Sequence, residues 1–154
     1  MRHAKSSWDN SFLSDHQRPL NARGKRDAPL MGLIIKEKDW VPAHVFSSDS
    51  ERTQETIAGM QENLPQLEFS LHSELYLASA SQLAHSAKSC TLEHDRIMLL
   101  AHNPGITEAV YMLSGERLDN VPTAGLALIE FEADEWKDIS TGKLKGVIYP
   151  KMFT

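Results

Sequence analysis

Hydrophobic and polar positions along the chain fall into two alternating rhythms. Residues 4–20 show neither, and their scattered Asp, Asn, Ser and Pro residues read as a loop. From Asn21 to about Lys38 the apolar positions recur at helical spacing, with Pro29 expected to break or kink the helix. His44 to Ser48 reads as a short strand. Asp49 or Ser50 is placed to cap a helix running to about Asn63. Leu67 to Leu71 alternates as a strand does, and Ser79 to about Cys90 returns to helical spacing. Ile97 to Ala101 is an unbroken apolar run of strand length, the pattern of a central strand in a parallel sheet. A turn at His102-Asn103-Pro104-Gly105 leads into a helix from Ile106 to Ser114. Leu126 to Glu132 is a further strand. The last twenty residues, with Gly142, Gly146 and Pro150, carry no clear rhythm.

Strands alternating with helices predict an α/β fold with a parallel or mostly parallel sheet. In such sheets ligands bind beyond the carboxyl ends of the strands. Polar residues directly after predicted strands are therefore the first candidates for chemistry.

Composition narrows the partners. The chain has 154 residues, enough for one domain with a core of its own. Its formal net charge is -5. A mildly acidic chain is a poor nucleic-acid binder, so any phosphate site must come from locally placed cations. No apolar run reaches the ~20 residues of a membrane span, and the start of the chain lacks the apolar segment of a signal peptide. The single cysteine, Cys90, excludes an internal disulfide. The expected setting is the cytoplasm, without membrane or nucleic-acid partners and with no expectation on oligomeric state.

Three polar clusters follow predicted strands or lie at the start of the chain. In Arg2-His3-Ala4-Lys5-Ser6-Ser7 a guanidinium stands beside an imidazole, and neutral imidazole is a nucleophile near pH 7. Its plain alternative is a frayed, charged terminus. In Ser47-Ser48-Asp49-Ser50-Glu51-Arg52-Thr53-Gln54-Glu55-Thr56, Arg52 falls in the first turn of a helix, where a guanidinium and helix amides suit a phosphate. Its plain alternative is a solvated helix start with Arg52 paired to Glu51 or Glu55. In Leu99-Leu100-Ala101-His102-Asn103-Pro104-Gly105, a histidine follows a buried-type strand, where it is either structural or part of a site.

Together, in this order, the three clusters resemble the histidine phosphatase superfamily, and most closely its short bacterial SixA-like phosphohistidine phosphatases. Asp15-His16-Gln17-Arg18-Pro19-Leu20-Asn21-Ala22-Arg23-Gly24, Leu75-Tyr76-Leu77-Ala78-Ser79 and Val121-Pro122-Thr123-Ala124-Gly125 add to the resemblance, which spans essentially the whole chain. It implies a single domain with a three-layer αβα fold of the phosphoglycerate mutase type. It implies His3 as the nucleophile that forms a phosphohistidine, with Arg2, Arg52 and His102 as its catalytic partners. Arg2, Arg18, Arg52 and Asn103 would bind the phosphate, and His102, if protonated, would share the charge. No cofactor or metal is expected, since side chains supply the cations. Glu74 is the nearest positional match to the general acid of larger members. The branch often lacks an evident acid, which suits a leaving group such as protonated imidazole, so phosphohistidine on a partner protein is the favoured substrate.

Alternatives remain open. One is a phosphatase of a small phosphomonoester. Another is a module that binds phosphate or phosphoproteins without turnover. A third is a metal-dependent hydrolase, against which stands the lack of paired-histidine metal motifs. Three departures stand out: Ala4 in place of the motif's Gly, Glu55 as an extra residue between Gln54 and Thr56, and almost no strand before Arg2-His3. A strand usually needs ~5–6 residues. The expectation is a truncated first strand, with either a natural start upstream of Met1 or lowered stability and activity.

Overall fold

The computed structural model describes residues 1–91 and 93–154. Helix α1 spans Ala22–Glu37, and its N-cap Asn21 accepts the Gly24 amide at 2.9 Å. Its buried stripe of Gly24, Ala28, Met31 and Ile35 recurs every three to four residues, as a helix packed on one face requires. The helix runs through Pro29 without breaking. The expected break does not occur, and Ala28 and Met31 on either side of the proline are fully buried. Strand β1 is His44–Ser48, and α2 follows as Glu51–Gln61 with Ser50 as its cap. Strand β2 is Phe69–His72, α3 is Ala80–Lys88, β3 is Ile97–Leu100 and α4 is Gly105–Ser114.

The strands β2, β1 and β3 form a parallel sheet in that order, with Val45 of β1 opposite both Phe69 and Met98. Thus β1 is the middle of the three strands, and β3, the apolar run expected to be central, has β1 on one side and the start of the chain on the other. Side chains alternate between faces along each strand. Val45, Met98 and Leu100 join the core beneath α1 and α2, whereas Phe46 and Leu99 face the cluster built on α3 and α4. Helices on both faces of a mostly parallel sheet give the three-layer αβα architecture.

Strand β4, Leu126–Glu130, pairs antiparallel with β5, Lys143–Ile148. The sequence reading gave no assignment to β5. Lys143, Lys145 and Gly146 blur its alternation, and only the pairing of Leu126 with Ile148 reveals it.

The two sheets meet at a seam. The start of the chain bridges it: the Met1 carbonyl accepts the Ala101 amide at 3.1 Å, and the Arg2 amide donates to Gly125 O at 2.9 Å. Arg2 and Ala101 form a single parallel bridge. The Met1 amino group donates to Leu99 O at 2.7 Å, and burial lowers its pKa to about 5. Beyond Met1 the seam opens into a cavity of about 670 Å³, lined by Ile97, Met98 and Leu99 on one side and Leu126, Leu128 and Ile129 on the other.

Candidate active site

The carboxyl ends of β1 and β3 and the bridge at Arg2 deliver Ser48, His102 and His3 to one place. His3 is pinned through its backbone, donating to Ala101 O at 3.2 Å and accepting from the Ala124 amide at 2.9 Å. The next amide, Ala4, donates to Thr56 Oγ1 of α2 at 3.0 Å. Gly24 lets α1 approach the segment that follows, since a Cβ there would lie 2.2 Å from Lys5 O. Glu55, which looked like an insertion, is part of the unbroken helix α2 and accepts the Leu20 amide at 2.6 Å. It ties the far end of the 6–20 loop to the site.

The His3 ring is 7% exposed, and its Nδ1 lies 2.7 Å from Ala4 O. A carbonyl only accepts, so Nδ1 carries the proton and Nε2 is the unprotonated nitrogen. Burial lowers the pKa to about 4; the Ala4 hydrogen bond opposes this, and the charges of Arg52, Arg2 and Arg18 reinforce it. The ring is therefore neutral and nucleophilic at pH 7.

His102 stands 5.1 Å from His3, centroid to centroid. Its Nδ1 is 3.2 Å from Arg52 Nη2, and its Nε2 is 2.8 Å from Ser48 Oγ. Guanidinium only donates, so Nδ1 accepts and Nε2–H donates to Ser48. Burial, then His3 and Arg52, lower the pKa to about 3. His102 is thus neutral at pH 7, and the protonated form considered from the sequence is not the one this geometry holds.

Arg52 is 4% exposed in the first turn of α2. It donates to Asp15 O at 2.6 Å and to Asp15 Oδ2 at 3.0 Å. Arg18 follows the 3-10 turn Asp15–Gln17 and spreads its donors over Ser7 O, Asp15 Oδ1 and Ser6 Oγ. Its guanidinium lies 3.2 Å from the Trp8 ring centroid. Arg2 donates through Nη1 to Val121 O at 3.0 Å, while its Nε is buried and, among the described residues, has no partner. A buried donor without an acceptor is costly, and an anion would satisfy it.

Two residues singled out from the sequence lie differently. Asn103 uses its amide nitrogen on Asn120 Oδ1 and Val121 O, and its oxygen takes the Thr107 amide and hydroxyl. It braces the carbonyl that also holds Arg2. Glu74 pairs with His72 at 3.5 Å and borders a hollow lined by Phe46, Leu75, Gln82 and His85. The structure does not bring it into the cluster.

The sequence reading missed Asp15, Tyr76 and Ser48 as members of the cluster, although each sits inside a quoted motif. The Tyr76 hydroxyl donates to Asp15 Oδ2, and its ring meets His102 edge-on at 5.4 Å. Burial raises the Asp15 carboxyl, but the Tyr76 and Arg52 hydrogen bonds and the Arg52 charge outweigh it and hold it at about 2. A neutral imidazole nucleophile, a second imidazole and three guanidiniums suit attack on an anionic centre such as phosphorus.

Residues 1–78 match the family model of the histidine phosphatase superfamily, branch 1. The chain belongs to the histidine phosphatase superfamily. Its enzyme class is accordingly that of a phosphatase. An uncharacterised chloroplastic protein of Arabidopsis thaliana is 33% identical over 97% of this chain and 76% of its own length. An uncharacterised protein of Mycobacterium leprae is 29% identical over 90% of this chain and 91% of its own length. Among solved structures, a protein of Agrobacterium tumefaciens assigned as the phosphohistidine phosphatase SixA superposes with a TM-score of 0.85 at 24% identity, over 97% of this chain and 95% of that one. SixA complexed with tungstate gives 0.85 at 20% identity, over 100% of this chain and 97% of that one. A mycobacterial glucosyl-3-phosphoglycerate phosphatase gives 0.68 at 15%, over 97% and 95%. At these identities the superpositions show that the superfamily fold is shared.

Proposed function

We propose that this chain is a SixA-like, metal-independent phosphatase that works through a phosphohistidine on His3 and acts on phosphohistidine of a partner protein. One observation carries the reading: the bond from His3 Nδ1 to Ala4 O leaves Nε2 as the nucleophilic nitrogen, beside His102 and the guanidiniums of Arg2 and Arg52. Nε2 attacks phosphorus, the P–N bond to the substrate imidazole breaks, and water then cleaves the new P–N bond to release inorganic phosphate. Arg2, whose Nε lacks an acceptor, and Arg52 bind the equatorial oxygens and offset the charge that otherwise repels the nucleophile. Asn103 contributes by holding Val121 O, and Arg18 by holding the turn that carries Asp15.

The substrate class follows from proton supply. An alkyl phosphate needs a proton on its leaving oxygen. Glu74 lies in another hollow, and Asp15 is ionised at neutral pH. A protonated imidazole brings its own proton and leaves without an acid. The test is phosphate release from a phosphohistidine peptide, an aryl phosphate and a sugar phosphate in parallel, with and without prolonged chelation. Fastest turnover of the phosphohistidine peptide, unaffected by chelation, is expected. Preference for the sugar phosphate would overturn the substrate class. Loss of activity on chelation would overturn metal independence. Binding of the phosphopeptide without phosphate release would make the chain a recognition module.

A further inference from the structure

Arg52, one of the two guanidiniums proposed to bind the phosphoryl group, already holds an anion together with Arg18 and Tyr76, and that anion is Asp15. Arg18 Nη1 reaches Asp15 Oδ1 at 2.8 Å, Arg52 Nη2 reaches Oδ2 at 3.0 Å, and the Tyr76 hydroxyl donates to the same Oδ2. Three donors, two of them cationic, thus converge on one carboxylate, much as they would on the oxygens of a phosphoryl group. Arg52 Nη1 donates to the Asp15 backbone carbonyl, and Nη2 divides its donors between the Asp15 carboxylate and His102 Nδ1. The Nη2 donor that meets Asp15 Oδ2 turns to a substrate oxygen only when the carboxylate yields.

The exposures say which partner yields. The Arg52 and Arg18 side chains are 4% and 8% exposed, and the Asp15 side chain 43%. The guanidiniums are walled in by the protein, Arg18 also by the Trp8 ring. Asp15 belongs to a three-residue turn at the end of a loop that reaches full exposure at Phe12. A short turn beside water exchanges a carboxylate far more readily than a packed helix start rotates a buried guanidinium.

We propose that Asp15 is the resident counter-anion of the site: a positioning residue that aims Arg52 and Tyr76 and is displaced by the phosphoryl group of the substrate. The proposal rests on the phosphatase reading above and adds a competitor built into the protein. Its presence offsets one of the guanidinium charges, which weakens the hold on any free oxyanion and eases release of product phosphate. It also keeps the guanidiniums at their working angle between turnovers.

The probes are tungstate and inorganic phosphate, titrated by calorimetry into wild type, Asp15→Asn and Asp15→Glu. Turnover of the best substrate and Tm are measured on the same samples. Asp15→Asn keeps the size and loses the charge, so both oxyanions should bind about tenfold more tightly while kcat falls about tenfold. Asp15→Glu restores the charge and should return oxyanion affinity toward wild type. A merely structural Asp15 predicts the opposite split, with weaker oxyanion binding in step with a lowered Tm. Unchanged or weaker binding by Asp15→Asn, in a wild type that does bind and turn over, overturns this proposal alone. Wild type that neither binds tungstate nor releases phosphate from any substrate overturns the phosphatase reading, and this proposal with it. Should the variants fail to fold, the carboxyl carbon resonance of Asp15 in labelled wild type decides: it should shift on saturation with tungstate, and a resonance that stays in place overturns the exchange.

Discussion

Around His3 groups from helices and loops hold the backbone and the ring; at the seam a few residues away, the two sheets are joined through the backbone bonds of residues 1–3. The His3 backbone is fixed on both sides, Ala4 by α2, and Arg52 by two atoms of Asp15. The seam has the Arg2–Ala101 bridge and the bonds of Met1 and Arg2, and then a cavity whose lining mixes apolar side chains such as Met98 and Leu126 with charged ones such as Arg96 and Glu130. The contrast shows two ways of fixing a backbone, by side chains that reach in from helices and loops around His3 and by main-chain pairs at the seam. Side-chain hydrogen bonds from helices and loops over-determine a few atoms locally.

The comparison can be broken at either end. The largest effect is expected at the nucleophile: His3→Ala should lower turnover by at least about a thousandfold with the far-ultraviolet circular dichroism unchanged. Substantial residual activity, or a trapped phosphoenzyme that maps to another residue, would remove His3 from the mechanism. Next, Arg52→Ala should cost about a hundredfold in kcat/KM, and Arg52→Lys should recover only part, because ammonium lacks the planar fork. Arg117→Ala is the control, since Arg117 lies over the Tyr111 ring at 4.2 Å on α4 and has no contact with the site. Equal rates for Arg52→Ala and Arg117→Ala would place Arg52 outside the chemistry.

The seam predicts a gain. An extension of about five apolar residues fused ahead of Met1 would continue parallel to β3, fill the cavity, and turn a buried amine into an ordinary amide. Tm should rise by about 5 °C, against no rise for a control extension of equal length containing proline. No difference between the two extensions would mean that the seam does not limit stability.

Protons sharpen the contrast further. His3 and His102 have native pKa values of about 4 and about 3, below the ordinary 6.5. The unfolded chain then binds more protons than the native one as pH falls from about 6.5 toward 4, so stability declines through that window and is full above it. Thermal melts from pH 8 to pH 4 should show this loss, and the His3→Ala, His102→Ala double variant should show less of it. An equally steep loss in the double variant would assign the decline to other groups. The smallest effect belongs to Glu74→Gln, where kcat/KM for phosphohistidine should change less than about twofold. A drop beyond tenfold would restore Glu74 as the general acid.

Much of this was legible in the sequence. The strand His44–Ser48 has the predicted bounds, and Ser50 caps α2 as one of two candidates. Arg52 and His102 stood out because the chemistry of an α/β sheet gathers after its strands, and strand ends are marked by abrupt changes from apolar to polar; Arg2 and His3 stood out because a guanidinium stands beside an imidazole. Those signals are local, so a single chain displays them. Tertiary structure decided the rest. Asp15 reads as one more loop carboxylate until folding brings Arg18, Arg52 and Tyr76 around it across up to 61 residues of chain. Asn103 and Glu74 carried the right functional groups at plausible positions, and only their partners show one to be a brace and the other to face a different hollow. The neutrality of His102 is of the same kind. Imidazole titrates near pH 7 in water, and it takes burial and the approach of a guanidinium to its Nδ1, neither visible in the order of residues, to decide which form the protein holds.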